Sequence, residues 1–188
     1  MVLNVRAAGL DHQVCYNFCP QLLGVHEMDK IQVFTVGGTI DKIYFDAKSN
    51  YEVGPPNIAE MLESLCLNPE FQVTSLMQKD SLDMTDADRQ LILEAVQNAD
   101  ASKILITHGT DTMVQTAGVL SIVADKTIVL TGALSPALFK NSDAMFNIGS
   151  AITAVQILPP GVYITMNGQV FDHDKVSKDV ARGRFVSN

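Results

Sequence analysis

Lys103-Ile104-Leu105-Ile106-Thr107-His108-Gly109-Thr110-Asp111-Thr112-Met113 is the stretch on which the fold turns. Ile104-Leu105-Ile106 is apolar without polar alternation, as expected of a strand buried on both faces. The polar residues that follow end the run. Val114, Ala117, Leu120 and Ile122 then supply the apolar positions of a helix expected over 111–124. A buried strand feeding directly into a helix is half of a βαβ unit, and such units build parallel sheets with right-handed crossovers.

The same alternation repeats on either side. Towards the N-terminus, 31–36 reads as a strand ended by Gly37-Gly38. Residues 42–53 are irregular with a turn signal at Lys48-Ser49-Asn50, so a hairpin or flap is expected. Asn57 is placed to cap a helix bearing Ile58, Met61, Leu62 and Leu65 at i, i+3, i+4, i+7. A second core strand follows at 71–77, and Thr85 caps a helix carrying Leu91, Ile92, Ala95 and Val96. Towards the C-terminus come a strand at 127–131, a helix over 141–158 stopped by Pro159-Pro160, and a strand at 162–166. Asn167-Gly168 reads as a hairpin turn into Gln169-Val170-Phe171. The expected fold is a single α/β domain with three α/β/α layers, a mainly parallel sheet and flavodoxin-like strand order. The helix at 141–158 is apolar on more than one side, which suits core packing or a homodimer face.

Composition narrows the function classes. A chain of 188 residues can bury roughly 70% of its unfolded surface, enough for a core without cross-links. Its 47% apolar content excludes a disordered chain. Thirteen basic against 21 acidic residues give a net charge of −8, which argues against a nucleic-acid partner. No apolar run is long enough for a bilayer, so no membrane partner is expected. Asp11, His12 and Gln13 interrupt what would be a signal peptide, and three cysteines are too few for a secreted disulfide framework; a cytoplasmic location is expected. His12, Cys15, Cys19 and His26 match no zinc-site spacing, so no metal is assigned. Residues 1–28 read as a poorly ordered extension or a misassigned start, and 29–188 as the domain.

In open α/β sheets ligands sit beyond the carboxyl ends of the strands. Those ends carry Gly37-Gly38-Thr39-Ile40-Asp41, Lys79-Asp80-Ser81-Leu82-Asp83-Met84, His108-Gly109-Thr110-Asp111 and Gly132-Ala133-Leu134-Ser135. Singly, each has an ordinary structural role: the glycines as a tight turn, Thr110 or Asp111 as an N-cap, Ser81 and Asp83 as turn residues. Together, at neighbouring strand ends, they favour a small polar ligand. No phosphate-binding glycine motif follows any strand, and Cys66 has no nearby histidine to activate it. Hydroxyl nucleophiles remain: Thr39, Thr110 and Ser81. A hydroxyl is weak until something takes its proton, and Tyr51 or Lys178 could do so only with a shifted pKa.

Val36-Gly37-Gly38-Thr39-Ile40, Ser49-Asn50-Tyr51 and Val53-Gly54 resemble the first signature and flap of bacterial-type L-asparaginases, the asparaginase–glutaminase family. Ile106-Thr107-His108-Gly109-Thr110-Asp111-Thr112-Met113 matches the family's second signature without a break. Ser81-Leu82-Asp83-Met84, Thr131-Gly132-Ala133, Met166-Asn167 and Val176-Ser177-Lys178 follow in family order. The resemblance covers about 29–188 and implies hydrolysis of the side-chain amide of L-asparagine, glutamine or a related small amide, with no cofactor. It implies Thr39 as nucleophile, aided by Tyr51, and a second constellation of Thr110, Asp111 and Lys178. Substrate binding would fall to Gly38, Ser81, Asp83, Gly109, Thr110, Asp111 and Ala133, with backbone N–H groups near Thr110 and Ala133 as oxyanion hole. Val36 stands where the family usually has threonine. The family's smaller C-terminal domain, which in oligomers completes a neighbour's site, is expected to be absent, so enclosure would fall to a homodimer or higher homo-oligomer. The alternative is a non-catalytic or weakly active amino-acid sensor. A signalling receiver is disfavoured because Gly37-Gly38-Thr39 stands where an acidic pair would hold a metal.

Overall fold

The computed structural model describes residues 30–45 and 50–188. The expectations for residues 1–28, including His12, Cys15, Cys19 and His26, and for the turn at Lys48-Ser49 lie outside the described residues. The main sheet is formed by β1 (Lys30–Gly37), β4 (Glu70–Lys79), β5 (Lys103–Thr107), β6 (Thr127–Thr131), β7 (Gly161–Met166) and β8 (Gln169–Asp172). Its spatial order is β4-β1-β5-β6-β7-β8, parallel from β4 through β7 with β8 antiparallel at the edge. The five parallel strands thus stand in the order second, first, third, fourth, fifth along the chain, the expected flavodoxin-like arrangement. Chain direction across the sheet reverses at β1, so the crevice belongs at the ends of β1 and its neighbour β5.

Strand alternation builds two cores. Phe34, Val36, Ile104, Ile106, Ile128 and Leu130 pack on one face against α2 (Asp86–Asn98) and α3 (Met113–Leu120). Ile31, Val33, Leu105 and Val129 pack on the other against α1 (Ile58–Glu63) and α4 (Ala144–Ile157). Each such side chain contributes about 1.5–3 kcal/mol when fully buried, against about 0–1 kcal/mol for a surface ion pair, so the cores decide the stability of the sheet.

Several expectations change in detail. β4 is an edge strand with no fully buried residue rather than a core strand. Asn57 makes no side-chain capping bond, and α1 ends before Leu65, which is exposed. Thr85 caps α2 as expected, in a full capping box with Asp88, but Leu91 faces solvent. α3 stops at Leu120 and leaves Ile122 67% exposed. The turn at Asn167 (φ 54°) and Gly168 (φ 77°) has the two positive φ angles of a tight hairpin and joins β7 to β8 as expected. α4 buries Ile148, Ala151, Ile152 and Val155 and leaves Met145, Phe146 and Ile157 exposed.

Two small sheets complete the domain. β2 (Lys42–Phe45) and β3 (Asn50–Val53) form an antiparallel hairpin after β1, the flap expected there. β9 (Val176–Asp179) and β10 (Arg184–Ser187) form a second pair, and neither was expected as a strand from the sequence. Among the described residues no helix is long and apolar enough to cross a membrane.

Candidate active site

Backbone approaches of unusual closeness hold the strand ends together. Gly38 has φ 95°, and a Cβ there would lie 2.3 Å from the Gly109 Cα. A Cβ on Gly109 would lie 2.6 Å from the Ser81 Cβ and Oγ. The ends of β1, β5 and β4 therefore touch in a line that only glycine permits. Thr39, half-buried, opens the 3-10 turn Thr39–Asp41 directly after Gly38.

Lys178 carries the polar geometry. Its Nζ donates to Thr110 Oγ1 at 2.8 Å and to Asp111 Oδ1 at 2.7 Å. The lysine side chain is 15% exposed and that of Asp111 is 37% exposed, so the pair is shielded on one side and open on the other. Asp111 N–H donates to Ser81 Oγ at 3.3 Å, and the Thr112 hydroxyl donates to the Ser81 carbonyl at 2.7 Å. Ser81 itself is buried in the 3-10 turn Ser81–Asp83. Lys178 reaches this place because β9 pairs with β10 in register Lys178↔Phe185. Phe185 is buried and its N–H donates to Asn167 Oδ1 at 2.9 Å.

His108 fixes the peptide beneath. Its Nδ1 faces the Gly109 carbonyl at 2.7 Å and its Nε2 faces Thr116 Oγ1 at 2.8 Å. A carbonyl can only accept, so Nδ1 carries the proton and Nε2 accepts from the threonine. Complete burial, partly opposed by the Gly109 bond and reinforced by Arg89, pushes the imidazole pKa down to about 4 and keeps it neutral. The Gly109 carbonyl is thereby held by a fully buried group.

The remaining expected residues occupy distinct places. Tyr51 lies on β3, 45% exposed, with its ring 5.5 Å from Tyr44 and 5.9 Å from Phe139. Asp83 is exposed on the rim of a cleft of about 600 Å³ that Tyr51, Lys42, Asp80 and Leu82 also line. Ala133 is fully buried. Sequence reasoning missed what holds the segment around it: Asp143 accepts from Leu134 N–H at 3.0 Å and Ser135 N–H at 3.1 Å. Asn147 donates to the Gly132 carbonyl at 3.0 Å and to Asp143 at 2.8 Å. The i, i+4 spacing of these two polar residues at the start of an apolar helix was the available signal. Cys66 is disulfide-bonded and offers no thiol.

A three-layer α/β domain of flavodoxin-like order, with a threonine–carboxylate–lysine group at its switch point, is the class that fold and site define. The family described as Asparaginase, N-terminal matches residues 30–184, and the chain belongs to it. It is 32% identical over 179 residues to L-asparaginase 2 of Escherichia coli, covering 85% of this chain and 50% of that protein. It is 34% identical over 92 residues to the glutaminase-asparaginase of Pseudomonas fluorescens, covering 46% of this chain and 25% of that protein. The structure of the thermostable L-asparaginase from Thermococcus kodakarensis superposes with a TM-score of 0.74 at 27% identity, covering 84% of this chain and 51% of that one. The chain spans about half the length, or less, of these relatives.

Proposed function

We propose that the protein hydrolyses the side-chain amide of L-asparagine, or of a close analogue such as L-glutamine, to the acid and ammonia. The observation that carries this reading is Lys178 bonded to both Thr110 and Asp111 beside the buried Ser81. The Thr39 hydroxyl attacks the amide carbon, a C–O bond forms, and the C–N bond breaks as the threonine proton passes to the departing nitrogen. The resulting ester is opened by water, which returns a proton to Thr39 and releases the acid. Tyr51 assists the first step. Thr110 positions the water, and Lys178, whose Nζ sits beside the Thr110 hydroxyl, serves as base. Gly38 and Gly109 let the strand ends close up beneath the ligand, and Ser81 and Asp83 hold its α-carboxylate end. Asp111, bonded to Lys178 through Oδ1 and still reached by solvent, pairs with the α-ammonium. Backbone N–H groups near Thr110 and Ala133 stabilise the oxyanion, and the Asp143–Asn147 clamp fixes the second of these.

The test is ammonia release from L-asparagine and L-glutamine by the full chain, with Thr39→Ala expected to abolish it. Release that survives this change removes Thr39 as nucleophile. A second reading, amino-acid binding without turnover, draws on the exposure of Tyr51 and Asp111 at the open side of the site. Calorimetric binding of L-asparagine with no ammonia after hours would establish it. The proposal includes association of copies through exposed Met145 and Phe146 on α4, read by sedimentation. It also includes a cytoplasmic location, which the small cysteine count supports and the disulfide at Cys66 opposes; cell fractionation decides.

A further inference from the structure

The buried carboxyl nearest Thr39 has no part in the chemistry above. Asp41 is 2% exposed, and its atoms hold three different segments. Its N–H donates to the Gly38 carbonyl at 3.1 Å, closing the turn that presents Thr39. Its carbonyl accepts from Gly54 N–H at 2.8 Å, where the chain returns from the flap. Its Oδ1 accepts from Asn57 N–H at 2.9 Å, three residues further on. Oδ2 has no hydrogen-bond partner among the described residues, so the carboxyl is kept at a cost in desolvation. Burial, eased by the backbone and side chain of Asn57, raises its pKa.

The next residue reaches the other way. Lys42 opens the flap, and its Nζ lies 2.8 Å from Asp80 Oδ2 in the lining of the 600 Å³ cleft. Asp80 uses its other oxygen, Oδ1, to accept from Leu82 N–H at 3.1 Å, capping the 3-10 turn that contains Ser81. Consecutive residues thus join the base of the flap to the turn of Thr39 on one side and to the turn of Ser81 on the other. We propose that Asp41 and Lys42 are positioning residues that set how the Tyr51 flap sits over the ligand: Asp41 pins its returning strand, and Lys42–Asp80 latches its outgoing strand to the carboxylate-binding turn. This rests on the proposed amide site.

Amide hydrogen exchange at Lys42–Phe45 and Asn50–Val53 in the full chain reads the anchoring without reference to activity. Lys42→Met and Asp80→Asn, which keeps the Leu82 cap, are each expected to speed flap exchange about two- to fivefold, as for a partly exposed ion pair. The double variant should be no faster than either single one, and 1 M salt should bring the parent to the same rate. Asp41→Ala should raise exchange first at Asn57, whose N–H loses its acceptor, and with it at Gly54, with Asp41→Asn restoring both. If Asp41→Ala does not fold, the Lys42/Asp80 cycle decides alone. In the ammonia assay the latch variants should raise KM several-fold and change kcat less. Additive effects, or unchanged flap exchange, overturn the anchoring even where ammonia is released. The expected exchange pattern in a protein that releases no ammonia leaves the anchoring standing and removes the hydrolytic reading.

Discussion

At the scale of single residues, the site separates what chemistry needs from what stability needs. Lys178→Met removes both bonds to Thr110 and Asp111 but leaves the Asp111 carboxylate in contact with water. No charge is stranded, but the buried Thr110 hydroxyl loses its partner, so the expected stability loss is about 1–2 kcal/mol. Ammonia release should nevertheless fall by about 10²–10⁴-fold, the range for a lost general base. A melting curve beside the assay checks both halves, and a large drop in melting temperature would mean that Lys178 is structural. Gly109→Ala should do the reverse. Its Cβ would lie 2.6 Å from Ser81, which is buried and has no room to retreat, so about 1–3 kcal/mol of stability is lost. Because the displaced residue is the proposed carboxylate ligand, binding of L-aspartate measured by calorimetry should weaken at least tenfold.

At the scale of elements, the two-stranded C-terminal sheet is what brings Lys178 to the strand ends. It is attached through Phe185 and Val176 in the core and through the Phe185 N–H bond to Asn167. Phe185→Ala is expected to cost about 3–5 kcal/mol in urea unfolding and to abolish activity, while Phe185→Leu keeps most of both. Unchanged activity in the alanine variant would show that β9 is held by other means. This element also marks the limit of the sequence reading. The alternation of strands and helices was visible because Ile104-Leu105-Ile106 and the capped helix at Thr85 are consistent at every level of local pattern. β10 was not visible: Arg184-Phe185-Val186-Ser187 is short, and its pairing follows a turn at 180–183 in which Arg182 N–H donates to Asp179 Oδ1 and Gly183 takes a positive φ. Similarly, Ile122 and Leu65 fit the helical period, but their helices stop first, and periodicity alone does not place a helix end. Ser81, Gly109, Thr110, Asp111 and Lys178 were each named from the sequence, and the contacts join them. Asp41, Asp143 and Asn147 were missed because they act on backbone groups whose neighbours are distant in the chain.

For the whole molecule, His108 links the site to acid stability. The unfolded chain takes up a proton at this residue near pH 6.5, whereas the folded imidazole resists it down to about pH 4. Between those values the unfolded state holds more protons, so stability falls as pH falls. The slope is about 1.4 kcal/mol per pH unit and the full loss about 3 kcal/mol, reached near pH 4. Asp88, pulled down to about 2 by its bond to Lys79 and then by Thr85, acts only in the more acid range. Asp41 acts in the opposite sense: its pKa is raised by burial, so its protonation in the folded state returns stability as the pH drops. Urea midpoints measured from pH 7.5 to 3.5 should therefore decline steeply below about 6.5 and flatten towards pH 4. His108→Gln should lower stability at pH 7.5, because Gly109 and Thr116 lose their shared partner, yet remove most of the decline. An equal decline in that variant would assign the acid sensitivity elsewhere.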